Sequence, residues 1–203
     1  MREVILKRGD RIIDHIYPFL VFMDSFYVSM KIHKDGWIEK DYSGFFTIEG
    51  MSTGMEVRLP IYGPVKSVLE NKRPNQIEII FLDMVSKNTE QRGLNSEIIE
   101  YIFYPLFINF YESIKSEMLI KIGSNLTSPR NWESEIFRMG WLVRNSLSHD
   151  KKIKFKDSTS RNIEWRGTVI DQTNHDEPIH KHLNFTDIFI LMFDIDEELN
   201  KRI

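Results

Sequence analysis

The chain has no cysteine, so disulfides, thiolate catalysis and cysteine-ligated zinc are excluded. It also has little excess charge of one sign, because 27 basic residues stand against 30 acidic ones and the formal net charge is -3. That balance argues against a generally basic nucleic-acid coat, although it is compatible with a local basic patch. Hydrophobic residues make up 41% of the 203 positions, which predicts a folded chain with a sizeable core rather than a disordered one.

Long apolar runs are missing as well. No segment of the sequence stays apolar over the ~20 residues that a membrane-spanning helix needs. The N-terminus lacks the apolar stretch and small-residue cleavage site of a secretory signal. We therefore expect a cytoplasmic protein with no membrane association. The sequence also has no Walker loop, dinucleotide fingerprint, G-x-S-x-G or H-E-x-x-H motif, which argues against nucleotide hydrolysis and serine hydrolase chemistry.

Apolar residues recur at three- and four-residue steps in several long segments, as in amphipathic helices. This pattern predicts helices over residues 10–34, 65–71, 76–86, 96–122 and 131–149, and a last one that begins near residue 186. Short aromatic or β-branched runs in residues 36–64 and 152–170 predict two small β excursions. The expected fold is an all-α helical bundle with short β-hairpin excursions. We expect one domain over residues 1–203, with N-terminal helices and a hairpin in residues 1–95 and a second half in residues 96–203.

The most informative segment is WESEIFRMGWLVRNSLSHD, residues 132–150. On a helical wheel, one stripe is apolar and predicts the contact with the core; it consists of Ile136, Met139, Gly140, Val143 and Leu147. A separate wedge of roughly 140° is polar; it consists of Arg144, Asn145, Ser148 and His149. Two aromatic residues, Phe137 and Trp141, extend that wedge toward the N-terminus. The pattern indicates a second, functional surface on this helix.

The run from Arg144 to His149, Arg-Asn-Ser-Leu-Ser-His, resembles the R-x4-H motif of the HEPN superfamily, in which the position after the arginine is commonly polar and often asparagine. The motif also closes a late predicted helix, as it does in that superfamily. The downstream stretches at residues 163–167 and 187–192 are similar to those of some bacterial HEPN members. The resemblance implies an HEPN-like helical bundle.

Many HEPN proteins are metal-independent endoribonucleases that act as homodimers, in which two motif helices form one composite site. The resemblance therefore implies an RNA substrate, a homodimer, no metal and no cofactor. It implies a catalytic set of Arg144, His149 and Asn145. It also implies the setting of a bacterial toxin or defence component, with a possible antitoxin or other defence protein as partner.

The residue types suit this chemistry. His149 can exchange a proton with a ribose 2′-hydroxyl or with the leaving oxygen near neutral pH. Arg144 keeps its charge, and its planar fork can stabilise the negative charge that grows on phosphate oxygens. Asn145 precedes His149 by one helical turn and can orient its ring or bind the phosphate. Cleavage by the 2′-hydroxyl requires RNA and leaves a cyclic phosphate.

Several interpretations stay open at this point. Arg144 and His149 could instead cap the helix end, where positive charge is stabilised, and the chain could be a non-catalytic HEPN-like binding or regulatory module. Phe137 and Trp141 could lie at a dimer contact or stack on bases. The basic residues that follow the motif either track the RNA backbone or form a solvated strand face; they are Lys151, Lys152, Lys154, Lys156, Arg161 and Arg166.

Two further clusters carry chemistry-bearing side chains. His175, His180 and His182 surround Asp176 and Glu177 with a loose metal-ligand spacing, but the polar character of this segment favours a solvated turn. The acidic run in the last predicted helix, Asp194, Asp196, Glu197 and Glu198, is typical of a solvated helix face. Asp187 is interpreted as a helix-start residue.

Overall fold

The computed structural model describes residues 2–35, 44–61, 64, 68, 70–83, 96–122, 132–155 and 162–201. The chain forms two compact units. One, here called the sheet unit, comprises Met1–Glu49 and Gly54–Glu90; the other, here called the helical unit, comprises Gly50–Thr53 and Gln91–Ile203. The expectation that the whole chain makes one domain stays a prediction.

The sheet unit contains a four-stranded antiparallel sheet in the order β1-β4-β3-β2. Its strands are β1 (Arg2–Lys7), β2 (Gly44–Glu49), β3 (Met55–Ile61) and β4 (Gln76–Asp83). The register pairs Val4 with Ile79 and Val57 with Phe81. Helix α1 (Arg11–Asp35) packs against β3 and buries Ile16 and Phe19 completely. The helix predicted from residue 10 is confirmed, and Pro18 lies inside it.

The all-α prediction is wrong, because this sheet is a main element of the fold. Residues 76–86 were expected to form a helix, yet β4 occupies Gln76–Asp83. Along β4 the buried side chains are Ile77, Ile79 and Phe81, so burial repeats every two residues, as in a strand, rather than every 3.6 residues, as in a helix. The consecutive apolar residues around Ile80 conceal this alternation in the sequence. The helix expected over residues 65–71 falls mostly outside the described residues.

The helical unit contains the helices α2 (Ser96–Ile122), α3 (Glu135–Ser148) and α4 (Phe185–Lys201), which pack pairwise against one another. These three helices were predicted, and they are confirmed. The buried side chains that they share are large and apolar, and they include Phe103, Phe107, Phe110, Met118, Met139, Leu142, Val143, Ile188, Phe189, Leu191, Met192 and Ile195. Apolar burial on this scale stabilises the unit through the hydrophobic effect.

A short hairpin packs against α3 in the same unit. Its strands are β5 (Ile163–Trp165) and β6 (Thr168–Ile170). Arg166 and Gly167 form the turn with φ of 47° and 79°, and positive φ at both central residues is the geometry of a type I′ turn. The predicted excursion is therefore present, but both of its strands lie within residues 163–170. Residues 152–155 form only an isolated bridge, from Lys152 to Pro178.

Helix α4 begins with a reciprocal cap. The Asn184 side chain accepts from the Asp187 N–H at 3.0 Å, and the Asp187 carboxylate accepts from the Asn184 N–H at 3.0 Å, as in a capping box. The same carboxylate accepts from the N–H groups of Ser52 and Thr53 and from the Thr53 hydroxyl. Asp187 is thus a helix-start residue as predicted, and it also anchors the Gly50–Thr53 segment.

Asp194, in the acidic run of α4, does not lie on a solvated face. It is 8% exposed. Its carboxylate accepts a hydrogen bond from Trp165 Nε1 at 2.8 Å and two from the Arg166 guanidinium at 2.7 and 2.9 Å. A buried carboxylate is tolerated when it is paired and hydrogen-bonded in this way. Asp194 therefore holds the β5–β6 hairpin on α4.

Among the described residues, no helix has the length and apolar character that crossing a bilayer requires.

Candidate functional site

Helix α3 carries the Arg144–His149 motif, and its first turns are firmly held. The Ser134 side chain caps the helix by accepting from the Phe137 N–H at 3.4 Å. Arg138 is 2% exposed; its guanidinium is ion-paired with Glu135 and donates to the Asn162 carbonyl at 2.9 Å. These contacts fix where the helix starts.

Gly140 sets how closely α3 approaches its neighbours. A Cβ placed on Gly140 would lie 2.7 Å from Ile195 Cδ1 on α4 and 3.2 Å from Tyr111 Cε2 on α2. Both distances are shorter than ordinary van der Waals contact between carbon atoms. A larger residue at this position would require the Ile195 side chain to shift, so the absence of a side chain at Gly140 allows α3 to approach α4 and α2 closely.

The two aromatic residues of the predicted polar wedge have different environments. Phe137 is fully buried, so the expectation that it lies on the exposed wedge is wrong. The hairpin and the two neighbouring helices pack around α3, and they cover a wider arc of it than the apolar stripe alone indicates. Trp141, for which base stacking or a dimer contact was predicted, is partly exposed.

Arg144 lies between α3 and α2. Its Nη2 is ion-paired with Glu112 Oε1, and its side chain is 28% exposed. The guanidinium thus contacts α2 rather than the last carbonyls of its own helix, which disfavours the helix-capping interpretation for this residue. Arg144 Nε is buried, and it makes no hydrogen bond with the described residues.

The Tyr111 hydroxyl belongs to the same environment. It is buried and makes no hydrogen bond with the described part of the chain. Burial and the Glu112 carboxylate raise the pKa of Tyr111 far above its ordinary value, and the positive charge of Arg144 opposes that shift. Tyr111 is therefore a neutral phenol beside the guanidinium.

His149 ends the helix. It is the C-cap, with φ of -132°, and its backbone N–H donates to the Ser146 carbonyl at 3.1 Å. His149 and Ser148 are exposed, and Asn145 is partly exposed. The three predicted catalytic residues thus have different surroundings: Arg144 is half-buried and ion-paired, Asn145 lies at the surface of the helix, and His149 lies at its exposed end.

The chain turns sharply after His149. Asp150 and Lys151 have φ of 55° and 57°, and the Lys152 N–H donates back to the His149 carbonyl at 3.2 Å. This turn directs Lys151 toward α2. Its Nζ lies 4.8 Å from the centroid of the Tyr101 ring and 5.3 Å from that of Tyr104, which is cation–π geometry.

The remaining predicted RNA-binding lysines are not equivalent. Lys152 is exposed, whereas the Lys154 ammonium is ion-paired with Asp176. Arg166, expected to extend the basic patch, is held by Asp194. Lys156 and Arg161 lie outside the described residues. Lys151 and Lys152 are thus the predicted basic residues that follow His149 most closely in the chain and have no ion pair among the described contacts.

The histidine-rich segment braces this turn. His182 Nε2 and Glu177 Oε2 are 2.8 Å apart, and His175 Nδ1 accepts from the Phe155 N–H at 3.1 Å. Hydrogen bonds from Asn174 and His182 hold the pKa of Glu177 below its ordinary value. Within the ranges that the structure describes, no cluster of three or more His, Asp or Glu side chains could hold a metal ion.

Backbone hydrogen bonds join the same two segments. The Ile153 N–H donates to the Glu177 carbonyl at 2.9 Å, and the Ile179 N–H donates to the Lys151 carbonyl at 2.8 Å. The turn that carries Lys151 is therefore held by contacts with residues 177–179 as well as by its own hydrogen bond.

Two residues near the motif were missed by the sequence analysis, namely Glu112 and Tyr101, both on α2. Glu112 is a single acid between Tyr111 and Ser113, and Tyr101 lies in an aromatic-rich run that predicts burial. Neither position carries a local signal, because each depends on how α2 packs beside α3.

The chain matches no family model, no curated protein and no solved structure.

Proposed function

We propose that the chain is a metal-independent endoribonuclease of HEPN type, whose site lies at the C-terminal end of α3. The observation that carries the proposal is the placement of Arg144 and His149. A partly exposed guanidinium and an exposed imidazole lie at the same end of one helix, and Lys151 and Lys152 follow after Asp150. A base, a fixed positive charge and further cations are the groups that RNA transesterification requires.

The reaction needs no external reactant. The ribose 2′-oxygen attacks the adjacent phosphorus and forms the new P–O bond, while the P–O5′ bond breaks. The 2′-hydroxyl proton passes to a neutral imidazole, and the departing 5′-oxygen takes a proton from an imidazolium. The products are a 2′,3′-cyclic phosphate and a 5′-hydroxyl.

A homodimer supplies two imidazoles to one composite site, so that one His149 acts as base and the other as acid. Arg144 stabilises the charge on the phosphate oxygens, and Asn145 orients the phosphate or the ring. Lys151, Lys152 and Lys154 track the RNA backbone, and Trp141 stacks on a base. The protein acts in the cytoplasm as a toxin or defence component, with an antitoxin or another defence protein as partner.

The ion pair of Arg144 with Glu112 favours a second candidate, the non-catalytic binding or regulatory module. In that case the ion pair is structural, and no phosphate replaces the carboxylate. In the ribonuclease, a substrate phosphate competes with Glu112 for the guanidinium fork. Whether Arg144 binds a substrate phosphate in place of Glu112 therefore separates the two candidates.

The test is cleavage of end-labelled total RNA and tRNA in excess EDTA. Wild type is expected to yield cyclic-phosphate ends. His149→Ala and Arg144→Ala are each expected to lose about 100-fold or more of the rate, because removing a proton-transfer group or a charge-stabilising donor costs that much.

Two matched controls are available. His180→Ala removes another exposed histidine, and Arg58→Ala removes another arginine that is ion-paired with a glutamate, Glu56. Both are expected to retain the wild-type rate. Cleavage that survives His149→Ala and Arg144→Ala contradicts the assignment of the site. No cleavage by folded wild-type dimers contradicts the ribonuclease and favours the binding module.

A further inference from the structure

Tyr101 is an unusually exposed aromatic residue. It lies in the second turn of α2, and 70% of it is accessible to solvent. One turn further along the helix, Tyr104 is buried. Large aromatic side chains dominate cores and interfaces because burial of their apolar surface is favourable. A tyrosine left open on a helix beside a candidate site therefore needs a reason.

Lys151 gives Tyr101 a specific environment. The Lys151 ammonium lies over both tyrosine rings, at 4.8 and 5.3 Å from their centroids. The backbone of Lys151 is held by a hydrogen bond, because its carbonyl accepts from the Ile179 N–H. The chain turns at Asp150 and Lys151, which both have positive φ, and the Lys151 side chain lies against α2. The position of this cation is therefore set by backbone contacts and by the two aromatic rings.

We propose that Tyr101 and Lys151 form a subsite that stacks an unpaired nucleobase of RNA beside His149. An aromatic face together with a cation is the combination by which proteins hold unpaired bases, since the ring stacks on the base and the cation attracts the adjoining phosphate. Lys151 occupies one side of the Tyr101 ring, and the large exposed fraction leaves the rest of the ring to the base. A duplex keeps its bases paired and stacked, so it cannot use the ring. The link to His149, two residues from Lys151, rests on the proposed function.

A purely structural role for the pair predicts a different result. In that case the lysine stem covers apolar surface, and removal of the Tyr101 ring changes stability and not RNA binding. Binding must therefore be measured with intact RNA, and stability must be measured in parallel.

The experiment measures the binding of labelled oligoadenylate, and of an RNA duplex of the same length, by fluorescence anisotropy in the full chain. His149→Ala is present in every protein so that the RNA stays intact. Tyr101→Ala is expected to weaken oligoadenylate binding by about 5- to 150-fold, the usual loss for one base stack, with little effect on the duplex. Tyr101→Phe keeps the ring and is expected to bind within about twofold of its parent. Ile120→Ala, which removes another exposed apolar side chain of α2 (75% exposed), is the matched control and is expected to have no effect.

Lys151→Met separates the charge from the stem. It is expected to lower the slope of log affinity against log salt by about 0.7, the value for one phosphate contact on a single strand, whereas Tyr101→Ala leaves that slope unchanged.

Each outcome decides between the two proposals. Unchanged binding in Tyr101→Ala, an equal loss on the duplex, or no binding by any of the proteins overturns the subsite. If binding falls as expected but the chain without His149→Ala cleaves no RNA, the subsite stands and the ribonuclease fails. If RNA is cleaved at His149 while Tyr101→Ala binds normally, the ribonuclease stands and the subsite fails.

Discussion

The two ends of α3 differ in how much of each side chain the rest of the helical unit covers. At the first end, Arg138 is almost fully buried, bound to Glu135 and to a backbone carbonyl. At the last end, Arg144 is partly exposed and bound to Glu112 alone among the described contacts, and His149 is exposed. The two arginines share one helix and one kind of partner, yet only the second can meet a ligand.

This difference separates stability from chemistry along a single helix. The buried end and the close approach at Gly140 hold α3 rigidly, so that the groups at the exposed end are positioned by packing that they do not themselves provide. Substitutions at the two ends of α3 are therefore expected to change the free energy of unfolding by different amounts.

The largest expected effect distinguishes the two arginines. Arg138→Ala is expected to lower the free energy of unfolding by about 1–3 kcal/mol, because it leaves the Asn162 carbonyl unpaired and removes a buried aliphatic stem. Arg144→Ala is expected to cost about 1 kcal/mol or less, because its ion pair is partly solvated. Urea denaturation followed by tryptophan fluorescence measures both.

Equal losses in the two variants would remove the distinction between the ends of the helix. Arg58→Ala is the control for an exposed arginine–glutamate pair, and it is expected to resemble Arg144→Ala.

A smaller effect is expected at Gly140. Gly140→Ala gains about 1 kcal/mol of helix propensity, but the new Cβ would overlap Ile195 Cδ1, and overpacking costs about 1–3 kcal/mol. We expect a net loss of about 1 kcal/mol. Ile195→Val removes the clashing methyl group and is expected to recover part of that loss in the double variant.

A double-mutant cycle in urea measures this coupling. The control pairs Gly140→Ala with Ile190→Val, another buried isoleucine of α4, and the two costs are expected to add. If Gly140→Ala and Ile195→Val also add, the contact does not set the approach of the helices.

The smallest effect concerns acid. The folded-state pKa of Glu177 is lowered by its hydrogen bonds with Asn174 and His182, so the stabilisation is present above the ordinary value near 4.5 and is lost as the pH falls through the lowered value. The affected amide is Ile153, which donates to the Glu177 carbonyl. We expect the hydrogen-exchange protection of the Ile153 amide to decrease when the pH is lowered below 4.5. The protection of the Arg138 amide, at the buried end of α3, is expected to stay unchanged.

Glu177→Gln is expected to abolish this pH dependence, and Asp150→Asn, a change at an exposed acid, is expected to leave it intact. A parallel loss of protection at Arg138 would mean that the two ends of α3 open together.

Local pattern was sufficient where one face of a helix is apolar over several turns. Helix α2 was predicted with the bounds that it has, and α4 within a residue or two, because burial of one face against the neighbouring helices produces a 3.6-residue period. The prediction failed at β4, where Ile79 and Phe81 are buried but their apolar neighbours Ile80 and Leu82 also lie in the strand. A short apolar run does not distinguish a strand from a helix by periodicity. The antiparallel pairing of β1 with β4 joins segments far apart in the chain, and no local pattern encodes it.

The candidate site divides in the same way. The position of the motif at the end of α3 followed from sequence periodicity, since Gly140 and Val143 define the buried stripe and Arg144 and His149 lie off it. The environments of those residues did not follow. Glu112 reaches Arg144 from another helix, and Asp176, 22 residues away, is ion-paired with Lys154.

The sequence alone determined which residue types lie at the end of α3, that the segments of α2, α3 and α4 are helical, and that no cysteine chemistry is available. Tertiary structure alone decided that a sheet is present, that Phe137 is buried while Tyr101 is exposed, that Glu112 contacts Arg144 and that Lys151 lies over Tyr101. The physical reason is the separation along the chain over which each kind of interaction acts. Periodicity and capping act within a few residues of one segment, whereas burial and ion pairing depend on which distant segments pack side by side.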